Sequence, residues 1–373
     1  MQKETKIHNP NNYLSAYIEV DLSALSNNYK KISKFVAPSV CAATVKANAY
    51  GLGLEEIAKT LVDSGCREFF VSDIYEGIKL RKILKNKQYE IYALNGLKYT
   101  KDNDYAKYDI IPVIGSVNEL SYYIQSSMYD NNLPVAIHID TGFSRLGFDI
   151  EDAIWVYKQN LNVKLLMSHL ANADDTNSKL PELQLERFLN ISNNFIGVRK
   201  SVSNSHAIHR GQAYHLDLVR PGISLYGCSN HNQKQIKYEQ VVKMFAPIIQ
   251  IKEVKKGSSI GYGAAYVTKE DITIALLEIG YADGIPRSLS STNQHKGGSF
   301  YINNIAVPII GRVSMDLVAV NITDCKTDTN VGDYVEIFGT NQNIDTLAKN
   351  ADTISYELLT RLNHRVQKFY KYA

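Results

Sequence analysis

The sequence predicts a two-domain protein, an N-terminal (β/α)8 TIM-type barrel followed by a C-terminal domain built from β-strands. Three observations predict it. The chain has 373 residues, long for one ordinary domain and sufficient for two. Between about residues 40 and 230, short apolar runs alternate with segments of helical period. After about residue 235, short strands follow one another across Gly, Asn and Asp turns, with no long helices between them.

The apolar runs that read as buried strands are 40–45, 68–72, 89–94, 110–114, 134–140, 163–168, 199–204 and 223–226. Helical segments separate most of them; in the first, Leu54, Ile57, Ala58, Leu61 and Val62 share one apolar face and Gly65 follows as a stop signal. Buried strands alternating with helices pair in parallel, and eight of them suit a closed barrel. A doubly wound open sheet is the alternative, but no GxGxxG follows the first strand. In the second half, "FAPIIQIKEV", "ITIALLEIG", "SFYIN", "AVPIIG", "LVAVNI" and "YVEIFG" read as strands, and residues 345–363 as a helical tail.

Composition narrows the function. Hydrophobic residues make up 45% and charged residues 21%, ordinary for a soluble protein, and a net charge of +3 is too weak to point to nucleic acid or membrane. Cys41, Cys66, Cys228 and Cys325 are far apart and read as reduced thiols rather than a disulfide framework or zinc site, so no metal is expected. The N-terminus has no apolar signal-peptide core, and no apolar run reaches the length of a membrane span. A cytoplasmic protein is expected.

Barrel catalysis takes place at the carboxyl ends of the strands. Lys46 ends the first predicted strand, Asp140 and Arg145 follow the fifth, and His169 follows the sixth. Asn204 and Ser205 follow the seventh, and Arg220 and Gly222 lie at the eighth. Each alone has an ordinary explanation: a solvated lysine, a structural histidine, an ion-pair arginine, a turn serine and glycine. Their gathering at one rim argues for a site. "SNSHA" and "RPGISLYG" fall where such barrels hold phosphate; Ser205 can donate a hydroxyl and Gly222 lets the backbone approach closely. An amine across the rim from a phosphate seat suits pyridoxal 5'-phosphate, which needs a lysine for its aldehyde, a phosphate cradle and a partner for its ring nitrogen. Arg220 would be that partner. Being always charged, it cannot accept the ring's proton, which weakens carbanion delocalisation and suits an enzyme that removes and returns one proton.

"VKANAYGLG", "DTGFSRLGF", "SHLANADD", "VRPGISLYG", "IGYG", "IGYADG", "GRVSMD" and "TISYELLTRLNHRV", with "AYIEVDLSALSNNY" before them, together resemble the alanine racemase family through nearly the whole chain and in order. The resemblance implies a pyridoxal-phosphate isomerase interconverting L- and D-alanine, of the kind that supplies D-alanine for peptidoglycan. It implies a cofactor-binding barrel over 1–240, and over 241–373 a β domain that lends a tyrosine to the other subunit of a homodimer. By position, Lys46 resembles the lysine that binds the cofactor and serves as base on the D side, and Tyr262 the base on the L side. Tyr50, Ser205, Gly222, Ile223 and Tyr356 match positions around the phosphate, and Arg220 the one at the ring nitrogen. His169, also at the cofactor, matches the histidine that hydrogen-bonds the catalytic tyrosine. Arg145 and Met315 match substrate contacts, and Tyr281 a residue of the entrance gate.

Inversion at Cα is simplest with two bases on opposite faces, each within hydrogen-bond reach of that carbon. A tyrosine base with a reference pKa of about 10 needs its phenolate stabilised; His169 linked to Arg220 is the expected relay. The sequence also departs from the family. His138 stands where a lysine, sometimes carbamylated, would supply an anion to Arg145. A neutral histidine supplies none, so another anion fills the gap, Arg145 is held more loosely, or the replacement has no consequence. Phe143-Ser144 replaces the commoner Met-Gly, and His206 is bulky beside Ser205. A broader amino-acid racemase, accepting serine for example, remains open. A decarboxylase for basic amino acids, a non-catalytic pyridoxal-phosphate carrier and a Schiff-base aldolase are the further alternatives. Arg220 and the "GYG" tyrosine weigh against the first of these three, and the β domain against the other two.

Overall fold

In the computed structural model, residues 15–98, 103–228 and 235–372 are described. Most of the N-terminal stretch read above for a leader lies outside them. The chain divides into two units, Leu25–Glu239 and a second formed by the segment ending at Ala24 together with Gln240–Ala373.

Leu25–Glu239 carries the barrel. Ala43–Thr44, Glu68–Val71, Glu90–Ala93, Ile111–Ile114, Val135–His138, Val163–Met167 and Arg199–Ser201 are parallel neighbours in chain order. The first strand is split because it serves two neighbours. Ala43–Thr44 pairs with the second strand, while Val40–Cys41 pairs in parallel with Leu218–Val219. Arg220 N–H donates to Ser203 C=O at 2.9 Å, which joins the last strand to the seventh. The eighth strand is therefore Leu218–Val219. Residues 223–226, expected as that strand, form a buried 3₁₀ turn, Ile223–Tyr226. A four-residue apolar run is equally a buried helical turn, and periodicity cannot separate the two.

The barrel interior is filled by Ala42, Phe70, Tyr92, Ile111, Val113, Ala136, Leu165, Met167 and Leu218. Small residues at 42 and 136 make room for Phe70 and Tyr92, whose rings stack at 4.7 Å. Burial of one such ring contributes on the order of 2–3 kcal/mol. The predicted first helix is found as Leu54–Asp63, with Leu54, Ile57, Ala58 and Leu61 buried. At the amino ends of the strands, away from the rim, Arg199 pairs with Glu68 at 2.8 Å and Tyr92 donates to Glu90 at 2.6 Å.

The second unit is built on one long strand, Val242–Val254. It pairs antiparallel with Tyr17–Asp21, Tyr334–Phe338 and Ile272–Leu277, the last across an irregularity between Ile248 and Gln250. Ile272–Leu277 in turn pairs with Val318–Asn321, and Ser299–Ile302 forms a hairpin with Ile305–Pro308. All six runs read as strands in this half are strands. Tyr17–Asp21, inside the stretch 1–240 expected to form the barrel domain, pairs in this sheet instead. The tail also differs from expectation. It consists of two short helices, Ile344–Asn350 and Ser355–Thr360, and then a strand, Gln367–Lys371, parallel to Tyr17–Asp21. Phe369 on that strand packs with Phe245 and Tyr334 around Tyr17, with centroids 5.1–5.5 Å from the Tyr17 ring. Nonlocal aromatic packing thus decides a segment whose local pattern is ambiguous. The four cysteines are buried free thiols. Among the described residues no helix is long and apolar enough to cross a membrane.

Candidate active site

Lys46 stands two residues past the first strand, after Val45, whose N–H donates to Phe70 C=O at 2.9 Å. What comes next is unusual: Ala47, Asn48, Ala49 and Tyr50 all have φ between 52° and 56°. A left-handed turn of non-glycine residues costs about 1–2 kcal/mol per residue, so other contacts must hold it. Glu76 does so, accepting from Ala47 N–H at 2.7 Å and from Ser72 N–H at 2.8 Å. Asn48 accepts from Leu54 N–H at 3.0 Å, tying the turn to the helix that follows. The turn presents Lys46 at the rim and returns Tyr50 into the barrel mouth, where it is buried. Lys46 is solvent-accessible, yet desolvation of its ammonium and then the charge of Arg145 lower its pKa, with Glu76 opposing.

Tyr50 lies against Gly222. A Cβ on Gly222 would stand 2.2 Å from the Tyr50 hydroxyl, so the missing side chain is what admits the tyrosine. Gly222 N–H and Ser224 N–H donate to Ser205 Oγ at 2.9 and 3.3 Å. Ser205 thus accepts from the backbone and keeps its own proton to donate. Ser205 and Ile223 are both buried. His206, whose bulk raised a question about this geometry, has ordinary helical dihedrals (φ −78°, ψ −40°), and Asn204 accepts from its N–H at 3.1 Å.

Arg220 is buried and donates to the Ser201 hydroxyl and to Ser168 C=O, the latter at 2.7 Å. Among the described residues no carboxylate pairs with it. Burial pushes its guanidinium down to about 9, still protonated at neutral pH. The cation in turn acts on both histidines. His169 is held well below its usual pKa by burial and then by Arg220 and Arg145. His138 is pushed down to about 4 by burial and then by the same two arginines. Both rings are neutral at physiological pH. The expected relay is not a direct bond: among the described residues no hydrogen bond joins His169 to Arg220, and the nearest link runs through the Ser168 carbonyl.

The loop after the fifth strand carries Arg145. Asp140 accepts from Gly142 and Phe143 N–H at 2.8 and 2.7 Å. Burial opposes its ionisation, but backbone donors from Gly142 to Arg145 hold the carboxyl below its usual range. Gln184 ties this loop to the next, donating to the Thr141 hydroxyl at 3.5 Å and to His169 C=O at 3.2 Å, and accepting from Ala171 N–H at 2.9 Å.

Lys46, Tyr50, Arg145, His169, Ser205, Arg220, Gly222 and Ile223 therefore all lie in Leu25–Glu239. The remaining predicted residues lie in the second unit. Tyr262 is 71% exposed on a turn, and Tyr356 is part-buried on Ser355–Thr360. Tyr281 and Met315 are brought side by side. Tyr281 N–H donates to Ser314 C=O and Ala282 N–H to Met315 C=O, both at 3.0 Å. Gly280 permits this, since a Cβ there would meet the Met315 carbonyl oxygen at 2.2 Å. Arg365 clamps the pair by donating to Asp283 at 2.9 Å and Asp316 at 2.8 Å. The sequence reading missed Glu76, Gln184 and this clamp. Glu76 and Gln184 carry no local signal, whereas the three clamp residues each lie in a quoted motif, "IGYADG", "GRVSMD" and "NHRV".

Fold and geometry define a class: a barrel enzyme with a rim lysine, a serine hydroxyl beside a glycine turn and a buried arginine, in a chain whose β unit carries an exposed tyrosine. Residues 20–230 match the family model "Alanine racemase, N-terminal domain", and residues 241–370 match "Alanine racemase, C-terminal domain". The chain belongs to the alanine racemase family. It is 37% identical to the biosynthetic alanine racemase of Agrobacterium fabrum over 95% of this chain and 94% of that protein. It is 34% identical to the alanine racemase of Brucella abortus over 95% and 93%. Among solved structures, alanine racemase from Bartonella henselae with covalently bound pyridoxal phosphate superposes with a TM-score of 0.90 at 35% identity, covering 96% of this chain and 99% of that one.

Proposed function

We propose that this protein is a pyridoxal-phosphate-dependent alanine racemase, interconverting L- and D-alanine with a base on each face of Cα. The observation that carries the reading is Arg220, a buried guanidinium with no carboxylate partner among the described residues, on the same rim as Lys46 and the Ser205–Gly222 cradle. The residues fit the cofactor. Tyr50, Ser205, Gly222, Ile223 and Tyr356 would surround the phosphate, Arg220 would face the ring nitrogen with His169 nearby, and Lys46 would hold the aldehyde. Bound there, pyridoxal phosphate supplies an aldehyde for the substrate amine and a π-system that accepts the electron pair left at Cα.

Lys46, its ammonium already easier to deprotonate than a free lysine, takes or returns the Cα proton on one face. Tyr262, supplied by a second copy in a homodimer, serves the other face; its exposure in the single chain is consistent with that placement. His169, neutral by burial and by the arginine charges, accepts or donates a hydrogen bond to the tyrosine without adding charge. Arg145 and Met315 hold the substrate, Arg145 by its carboxylate, and Tyr281 lines the entrance. Arg220 would face the ring nitrogen as a donor that yields it no proton, an arrangement that would favour return of the proton to Cα over transamination. We place the activity in the cytoplasm, as a source of D-alanine for peptidoglycan. Purified protein should be yellow, and borohydride should fix the cofactor to a peptide containing Lys46. In deuterated water L-alanine should lose optical rotation as deuterium enters Cα. A label on another lysine, or release of carbon dioxide, overturns the reading.

A further inference from the structure

Arg145 is solvent-accessible, and among the described residues it makes no ion pair; His138, buried nearby, carries no charge to offer it. Its guanidinium carbon instead lies 4.1 Å from the centroid of the Phe143 ring. That ring is fixed from two sides. Its backbone N–H is held by Asp140 at 2.7 Å, and its edge meets His169 at a centroid distance of 5.7 Å and an interplanar angle of 64°. A guanidinium over an aromatic face is held by the ring quadrupole and keeps its N–H donors in plane and free to point outward.

We propose that Phe143 is the positioning residue for Arg145, its aromatic face taking the orienting role that an anion would otherwise play and presenting the guanidinium to the substrate carboxylate. The inference rests on the racemase reading above and adds to it a residue that touches neither cofactor nor reacting atoms. An aromatic seat has a consequence an anionic one lacks. It orients the arginine without neutralising it, so the full positive charge stays available to the carboxylate.

The test uses holoenzyme with cofactor content checked by absorbance, comparing wild type with Phe143→Leu and Phe143→Tyr. Phe143→Leu keeps apolar bulk and removes the π face. KM for L-alanine should rise about three- to tenfold, as expected for loss of one cation–π contact, with kcat within about twofold. The calorimetric Kd of propionate, which carries the carboxylate without the amine, should rise by the same factor. Phe143→Tyr should restore both. Unchanged KM and propionate affinity in Phe143→Leu overturn the proposal. So does a loss confined to kcat, or one that Phe143→Tyr shares equally, since either marks plain packing. Wild-type protein that neither racemises L-alanine nor binds propionate overturns the racemase reading and this inference with it.

Discussion

Gly222→Ala tests how the proposed phosphate end of the site is built. The added Cβ would stand 2.2 Å from the Tyr50 hydroxyl oxygen, 2.9 Å from its Cζ and 3.5 Å from Thr44 Cβ. The first of these is about 1 Å inside ordinary carbon–oxygen contact, and the tyrosine has little room to yield. Its side chain is buried, its ring packs at 4.9 Å against Tyr226, and its backbone is held in the left-handed turn. Overpacking of this kind costs about 1–3 kcal/mol. The urea midpoint should fall accordingly, and the Kd for pyridoxal phosphate, read by absorbance, should rise about ten- to a hundredfold as the Tyr50 hydroxyl is displaced.

A second substitution separates the two effects. Adding Tyr50→Phe removes the atom at 2.2 Å and leaves Cζ at 2.9 Å as the nearest. Part of the lost stability should return, with a coupling of about 0.5–1.5 kcal/mol in the double-mutant cycle, while cofactor affinity stays low because the hydroxyl is gone. A Gly222→Ala protein with wild-type midpoint and affinity would refute the close-approach argument. A double mutant no more stable than Gly222→Ala alone would show that the strain lies elsewhere.

Glu76→Gln keeps the shape of the side chain but turns an N–H toward one of the two backbone donors that Glu76 accepts. Stability should fall by about 1–3 kcal/mol; an unchanged urea midpoint would mean that the left-handed turn holds itself. His138 gives a pH signature. Its folded pKa of about 4 lies below the ordinary value of 6.5, so the stabilisation is complete above pH 6.5 and is lost as pH falls toward 4. Between pH 8 and 5 the loss is about 2 kcal/mol, and His138→Gln should be less acid-sensitive by that amount in urea melts at the two pH values. An equal slope in variant and wild type would refute it.

The sequence made legible what local pattern decides. The apolar run before Lys46 marks a buried strand, and a lysine at its end sits at the rim because barrel geometry puts it there. Position along the strands likewise located Arg145, His169, Ser205 and Arg220. The left-handed turn was not legible, since "ANAY" has two alanines and a tyrosine where positive φ is uncommon; Glu76, thirty residues on, holds it. The eighth strand, expected to start at 223, starts at Leu218, five residues earlier, because "LV" is too short to register while "ISLY" is long and apolar. The closing strand was hidden because its burial comes from Tyr17, at the other end of the chain. Phe143 was visible as a replacement, but nothing in its letter shows that Arg145 lies across its face.

The electrostatics of the barrel rim argue for the chemistry independently of resemblance. Three cations face this region, Lys46, Arg145 and Arg220; the charges of the two arginines, added to burial, hold His138 and His169 neutral. The carboxylates nearby are already committed: Asp140 to the loop backbone, Glu76 to the left-handed turn. Such a rim is incomplete without anions. On the proposed reading, a phosphate group would answer that need at Ser205 and Gly222, and a substrate carboxylate at Arg145. Arg220 is the buried cation of this rim, and burial pushes its guanidinium down to about 9. A carboxylate in contact with Arg220 would relieve that burial but would occupy its donors. Left without one among the described residues, Arg220 keeps donors for a ring nitrogen and, on the proposed reading, gives that nitrogen no proton, which suits a reaction that returns a proton to the same carbon.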